Sequence, residues 1–223
     1  MCPVSAIASQ STTPTKDTMR HTQKLLDYIA TQEDAVLTYN SSEMKLVVHS
    51  DASYLSEPKA CSRAGGHFFL SSNSEVPHNN GAVLNIAHII KHVMTSATEA
   101  ELSALYIMAR EDVYIRIVLK EMEQKQPLTL LQTDNSMADA VVNGEVEPKR
   151  TKSMDMRFHW LRDRECQEQF RIYWRPGKLN YADYWTKHHP AKHNEHTRKE
   201  FLTPHIVLEI LRQEQSQVET TAA

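Results

Sequence analysis

Apolar and polar positions along this chain recur with two different periods. Three apolar runs, residues 45–50, 65–71 and 82–92, read as strands, the first closing at Asp51 and the last two separated by the turn-rich stretch 73–81. Neighbouring strands joined by short connections predict a meander. From residue 97 to 122 the period lengthens: Glu101, Leu105, Met108, Ile115, Leu119 and Met122 fall three, four or seven residues apart, the stripe of a helix that packs on a sheet. Residues 128–133 form a short apolar run suited to a central strand, followed by a short helix after Asp134 and a loop through Pro148. A helix over 153–168, a strand over 170–174, a turn at Pro176-Gly177 and a last core helix over 180–188 complete the pattern. Outside it, 1–16 is Ser/Thr/Pro-rich and reads as a flexible leader, 18–32 as an amphipathic helix, 35–39 as a short strand and 207–215 as a helix before a polar tail.

Length and composition narrow the classes. With 223 residues and a mean hydropathy of -0.52, the chain holds one domain of ordinary size plus appendages. No apolar run approaches the roughly 18–20 residues of a membrane span, and the first residues lack the apolar core of a secretory signal, so an intracellular setting is expected. Cys2, Cys61 and Cys166 are odd in number and form no CxxC spacing, which predicts reduced thiols without chemistry. The net charge is only -3, but residues 149–187 carry ten Lys or Arg against five Asp or Glu, with Trp160, Trp174 and Trp185 among them. Basic residues interleaved with aromatics suit a phosphate-bearing partner; a solvated basic face over core aromatics gives the same pattern. His159 and the group His188, His189, His193 and His196 lack the cysteine partners and ordered spacing of a zinc site. His49, on the strand face of Asp51, reads as a core or supporting histidine.

Four acids stand where carboxylates are usually unwelcome. Ser96 and Glu99 have capping-box spacing, which gives Glu99 a structural role. Glu101 instead falls on the apolar stripe, where an ionised carboxylate costs several kcal/mol unless it is paired, hydrogen-bonded or on a metal. A partly exposed place in the first helical turn is the alternative. Asp134 follows an apolar strand at the end where open α/β sheets place ligands, and Asp51 closes its strand similarly, although turns and helix N-caps also favour aspartate there. Asp183 lies near a helix start, which the helix dipole alone would favour.

In order, SDASY with SRAGGHFFL, TSATEAELSAL, LLQTDNSMADAV, RTKSMDMRFHWLRDR and RPGKLNYADYWTK resemble the ribonuclease H domain of Ty1/copia-type retrotransposon polyproteins. The resemblance runs from about Met44 to Lys187, and TMRHTQKLLDYIATQEDAVLTY before it is similar to the segment joining such a domain to its reverse transcriptase. It implies a connection segment over 17–43 and a ribonuclease H-like domain over 44–190, beside the flexible leader over 1–16 and the C-terminal helix and polar tail over 191–223 that the pattern gives. The implied fold is α/β, a mixed five-stranded sheet flanked by helices. The implied activity is metal-dependent cleavage of the RNA strand of RNA/DNA hybrids. Asp51, Glu101, Asp134 and Asp183 match the family's acidic set and would hold two Mg2+ (or Mn2+) ions about 3.5–4 Å apart, with Asp51 bridging and Asp183 on the second ion.

Hybrid shape, rather than sequence, would be read by polar groups near Ser96, Thr98, Asn135 and Ser136, with Arg150 and Lys152 on phosphates; capping the two helices is the other role open to those polar groups. The expected partners are an RNA/DNA hybrid and the reverse transcriptase portion of the same polyprotein, in cytoplasm, virus-like particles or nucleus. Two departures stand out: residues 174–181 lack the loop histidine of cellular ribonucleases H, and the 141–153 connection is short for a basic protrusion. A non-catalytic hybrid-binding or connection module is the alternative reading. A strand-transferring nuclease of the same superfamily would lack the acid at Asp183.

Overall fold

The computed structural model describes residues 2–32, 35–144, 146 and 155–204. Arg150, Lys152 and the helix expected over 207–215 lie outside the described residues. The elements in chain order are α1 (Cys2–Ala8), α2 (Lys16–Ala30), β1 (Ala35–Val36), β2 (Lys45–Glu57), β3 (Cys61–Ser71), β4 (Ala82–Ile90), α3 (Ala97–Glu121), β5 (Thr129–Thr133), α4 (Ser136–Val142), α5 (Asp155–Cys166), β6 (Phe170–Trp174), α6 (Asp183–Thr186), α7 (Ala191–Thr197) and β7 (Thr203–Pro204).

Five strands form one mixed sheet in the order β4-β3-β2-β5-β6. The expected meander is present, since β2, β3 and β4 pair antiparallel, and β5 and β6 add in parallel on the other side of β2. Alternation along β2 splits its side chains between two layers. Leu46 and Val48 enter the main core with Leu105, Met108 and Ala109 of α3, whereas His49 stacks on Tyr181 on the opposite face. Gly66 makes the α3 layer close: a Cβ there would lie 2.1 Å from the sulfur of Met108. On the other face, His67, Phe69, Tyr181, Trp185 and Phe201 form an aromatic layer that carries the segment after β6.

Several expected boundaries move. Asp51 does not end its strand; β2 continues to Glu57 because β3 keeps pairing with it, Asp51 opposite Gly65 and Ser53 opposite Arg63. Parallel pairing with β5 stops at His49 opposite Gln132, so Asp51 stands where β2 and β5 diverge. The last core helix shrinks from 180–188 to the four residues Asp183–Thr186, since Gly177–Leu179 forms a 3-10 turn and Lys187 is already extended (φ -122, ψ 156). Composition predicted a flexible leader over 1–16, but Cys2–Ala8 is helical. Pro3 lies in its first turn, where a missing N–H is tolerated, and Thr18 of α2 donates to Gln10 at 2.8 Å. β1 pairs with β7, a long-range closure that local pattern does not announce. Among the described residues, no helix is long and apolar enough to cross a membrane.

Candidate metal centre

Three different elements deliver three carboxylates to one point. Asp51 on β2, Glu101 in the second turn of α3 and Asp134 just after β5 each offer an oxygen, and these oxygens all lie within 4.8 Å of one another. Helix phase places Glu101 toward the sheet, where it is only 6% exposed. Its Oε1 accepts the Ala52 backbone N–H at 3.1 Å, while Oε2 is buried with no hydrogen-bond partner. A buried acceptor without a donor is destabilising unless a cation or proton meets it. Glu99 has the structural role expected of it: Ser96 accepts the Glu99 N–H at 3.1 Å, and the Glu99 carboxylate accepts from the N–H and hydroxyl of Thr95, each at 2.6 Å.

Crowding and burial shift all three acids upward. Burial comes first for Glu101, reinforced by the charges of Asp51 and Asp134, and its carboxyl is held far above the usual carboxylate range. Burial also raises Asp51; the Thr186 hydroxyl and the Lys187 charge oppose it, and Asp134 and Asp183 add to it. Asp134 is raised by burial, against Lys187 and with Asp183. Hard oxygen donors gathered where protons are otherwise retained are the donor set that divalent cations such as Mg2+ and Mn2+ prefer. The residues therefore fit the ions that the sequence led us to expect.

Asp183 is brought beside this group, although it is not among the three converging acids. The Thr186 hydroxyl donates to Oδ2 of Asp51 and lies 3.1 Å from the Asp183 carbonyl, so a single side chain spans the two aspartates. Lys187 Nζ forms an ion pair with Oδ1 of Asp183. Burial acts to lower the Lys187 ammonium, but the Asp183 bond and the charges of Asp51, Asp183 and Asp134 outweigh it and raise it.

The segment carrying Asp183 is pinned by groups that local sequence did not mark. Asn180, 6% exposed, donates to the Ser50 carbonyl at 2.8 Å and accepts the Ala182 N–H at 3.1 Å. Gln132 donates to the Leu179 carbonyl at 2.9 Å. His49 is a supporting residue, as read: Nδ1 accepts the Tyr181 N–H at 3.2 Å, and burial, then His67, pushes the ring down to about 3, so it stays a neutral acceptor. Two glycines set the clearances. A Cβ at Gly65 would lie 2.5 Å from Thr186 and 2.8 Å from the Ala182 carbonyl, and one at Gly177 would lie 2.7 Å from Oδ2 of Asp134.

The polar residues expected to read a hybrid sit at the two helix starts. Ser96 caps α3, and Asn135 caps α4 by accepting the Ala138 N–H at 2.9 Å; both have the capping role that was open to them. Thr98 is half-buried, and Ser136 is exposed at the first position of α4. Trp174 donates from its indole to the Asp134 carbonyl at 3.0 Å and is 45% exposed, an aromatic surface beside the acids.

A five-stranded mixed sheet in this order, flanked by helices, is the ribonuclease H-like fold. The homologues of this chain are Ty1/copia-type Gag-Pol polyproteins. The Pol polyprotein of transposon TNT 1-94 from Nicotiana tabacum is 24% identical over 174 residues, 78% of this chain and 13% of that protein. The transposon Ty1-JR2 Gag-Pol polyprotein from Saccharomyces cerevisiae is 26% identical over 196 residues, 85% of this chain and 11% of that protein. The chain thus spans between 11% and 13% of the length of these relatives. No family model matches it. Among solved structures, the N-terminal RNase H domain of a Mycobacterium tuberculosis protein superposes with a TM-score of 0.46 at 15% identity, covering 64% of this chain and 91% of that one. LC11-RNase H1 in complex with an RNA/DNA hybrid gives 0.47 at 14% identity, covering 64% and 94%.

Proposed function

We propose that this chain is the ribonuclease H domain of a Ty1/copia-type polyprotein and cleaves the RNA strand of RNA/DNA hybrids in an intracellular setting. One observation carries the reading: oxygens of Asp51, Glu101 and Asp134 converge within 4.8 Å, from three elements, and Oε2 of Glu101 is buried there without a hydrogen-bond partner. Asp51, Glu101 and Asp134 would hold one Mg2+ or Mn2+, and Asp183 with Asp51 a second. Ions there supply the charge that makes water nucleophilic and steadies the departing 3' oxygen of an in-line displacement. The protein's own part is positioning. Ala52 fixes one oxygen of Glu101, Thr186 orients Asp51, and Asn180 ties the Asp183 segment to β2.

Beside the acids, the starts of α3 and α4 would meet the minor groove of the hybrid, where 2'-hydroxyls distinguish RNA. Arg150 and Lys152 belong to the basic stretch that would hold phosphates. We read 1–16 as an N-terminal extension, 17–43 as the link toward a reverse transcriptase, 44–190 as the nuclease domain and 191–223 as a C-terminal extension. The test is Mg2+-dependent cleavage of a labelled hybrid by the wild type and by Asp134→Asn. Loss in the variant supports the assignment, and equal activity removes it. A non-catalytic hybrid-binding module is the second reading, favoured by the ion pair that already engages Asp183; a wild type that binds the hybrid without cutting it would select that reading.

A further inference from the structure

The ion pair between Lys187 and Asp183 sits at the point where a second cation would be needed. Asp51, Glu101 and Asp134 form a complete three-acid group, whereas the one remaining acid of the site is already matched by an ammonium. Consecutive residues divide the work: Thr186 takes an oxygen of Asp51 and Lys187 an oxygen of Asp183. The backbone makes this possible, because α6 ends after four residues and Lys187 is extended, which frees its side chain to fold back over the turn it has just left. The ionised carboxylates crowded around this point repel one another, so the ammonium beside them steadies the metal-free protein. Half of the Lys187 side chain remains exposed, so the group can swing into water without crossing packed core.

We propose that Lys187 is a built-in counter-ion that competes with the second divalent cation for Asp183, so that the ions load in order: the first into the Asp51, Glu101 and Asp134 group, the second only after Lys187 releases Asp183. Lys187 is a positioning residue here, acting on reaction chemistry through the carboxylate it holds. The inference rests on the metal-binding reading of the site above, and it adds an order and a competitor that the acids alone do not imply.

Calorimetric titration of the folded 223-residue chain with Mn2+ tests it without any activity readout, using the wild type, Lys187→Met, Lys187→Gln, Asp183→Asn and Asp134→Asn. The wild type should bind in two steps. Both Lys187 variants should tighten the weaker step by about tenfold or more, Asp183→Asn should lose that step and keep the first, and Asp134→Asn should lose the first. Without metal, Lys187→Met should melt below the wild type and gain more on adding Mn2+. Weaker or unchanged second-step binding in both Lys187 variants, with Asp134→Asn still abolishing the first, overturns the counter-ion role and leaves the metal site standing. Absence of Mn2+ binding in the wild type overturns both.

Discussion

Gly177 and Asp134 are separated by less than a methyl group's room: a Cβ on Gly177 would lie 2.7 Å from the Asp134 Oδ2 oxygen. The clearance, not backbone conformation, makes glycine necessary, since Gly177 does not have the positive φ that Gly144 does. Gly177→Ala should therefore displace the Asp134 carboxylate while leaving the fold intact. The expected result is weaker Mg2+ binding with a nearly unchanged metal-free melting temperature, because the crowded atom is the far end of a side chain that can move aside. Calorimetry with Mg2+ alongside thermal denaturation checks both halves.

Thr186 joins strand and helix through its hydroxyl, which reaches Asp51 and the Asp183 carbonyl. Thr186→Val keeps shape and removes the donor. It should cost about 1–3 kcal/mol of stability, the usual penalty for leaving a charged buried acceptor short of a donor, and lower hybrid cleavage; Thr186→Ser should recover most of both. Urea denaturation and initial cleavage rates measure the two effects, and equal behaviour of the Val and Ser variants would count against the bridge.

The raised carboxyls set the direction of pH dependence. Asp51, at about 6, and Glu101, higher still, bind protons more tightly in the folded than in the unfolded chain. The stability they contribute is complete below the ordinary carboxylate range and is lost as pH rises through their folded values. Metal-free protein should accordingly lose more stability between pH 5 and 8 than Glu101→Gln does, a difference in which the opposite trend of buried, neutral His49 cancels, and saturating Mg2+ should restore more of it at pH 8 than at pH 5. Melting temperatures with and without Mg2+ across that range check the sign; a Mg2+ effect that shrinks with pH would contradict it.

Capping and hybrid contact can be separated at Ser96. As N-cap of α3 its hydroxyl holds the Glu99 N–H, so Ser96→Ala should cost about 1 kcal/mol of stability. A hybrid-binding affinity unchanged within twofold would assign Ser96 to the helix alone, and a larger loss would add a contact with nucleic acid.

How much of this was legible in the chain depends on the range of the contacts. Strand β6 was readable at both ends because alternation and the flanking turn are local, and α3 because its stripe runs most of the length of a 25-residue helix. The same stripe held a further acid: Asp112 fits the spacing between Met108 and Ile115, is fully buried, and is pushed by burial up to about 7 against the pull of Thr129 and Arg116. Attention to every stripe position, not only the apolar ones, would have found it. Asp51 was misplaced at a strand end because β2 outlasts its apolar run, carried on by pairing with β3 that no local pattern reveals. Lys187 pairs with Asp183 only four residues before it, whereas Thr186 and Gly177 matter through Asp51 and Asp134, far away in sequence, Thr186 and Asp51 being 135 residues apart. Spacing along the chain has no access to such pairs.

In the proposed function the converging acids cut RNA paired to DNA. Three end-labelled duplexes of one sequence, RNA/DNA, RNA/RNA and DNA/DNA, incubated with the wild-type protein and Mg2+, test it most directly. Cleavage of the RNA strand in the hybrid alone is expected, leaving 3'-hydroxyl ends and stopping when EDTA is added. Cleavage of the DNA duplex at a comparable rate, or hybrid cleavage that survives EDTA, would contradict it.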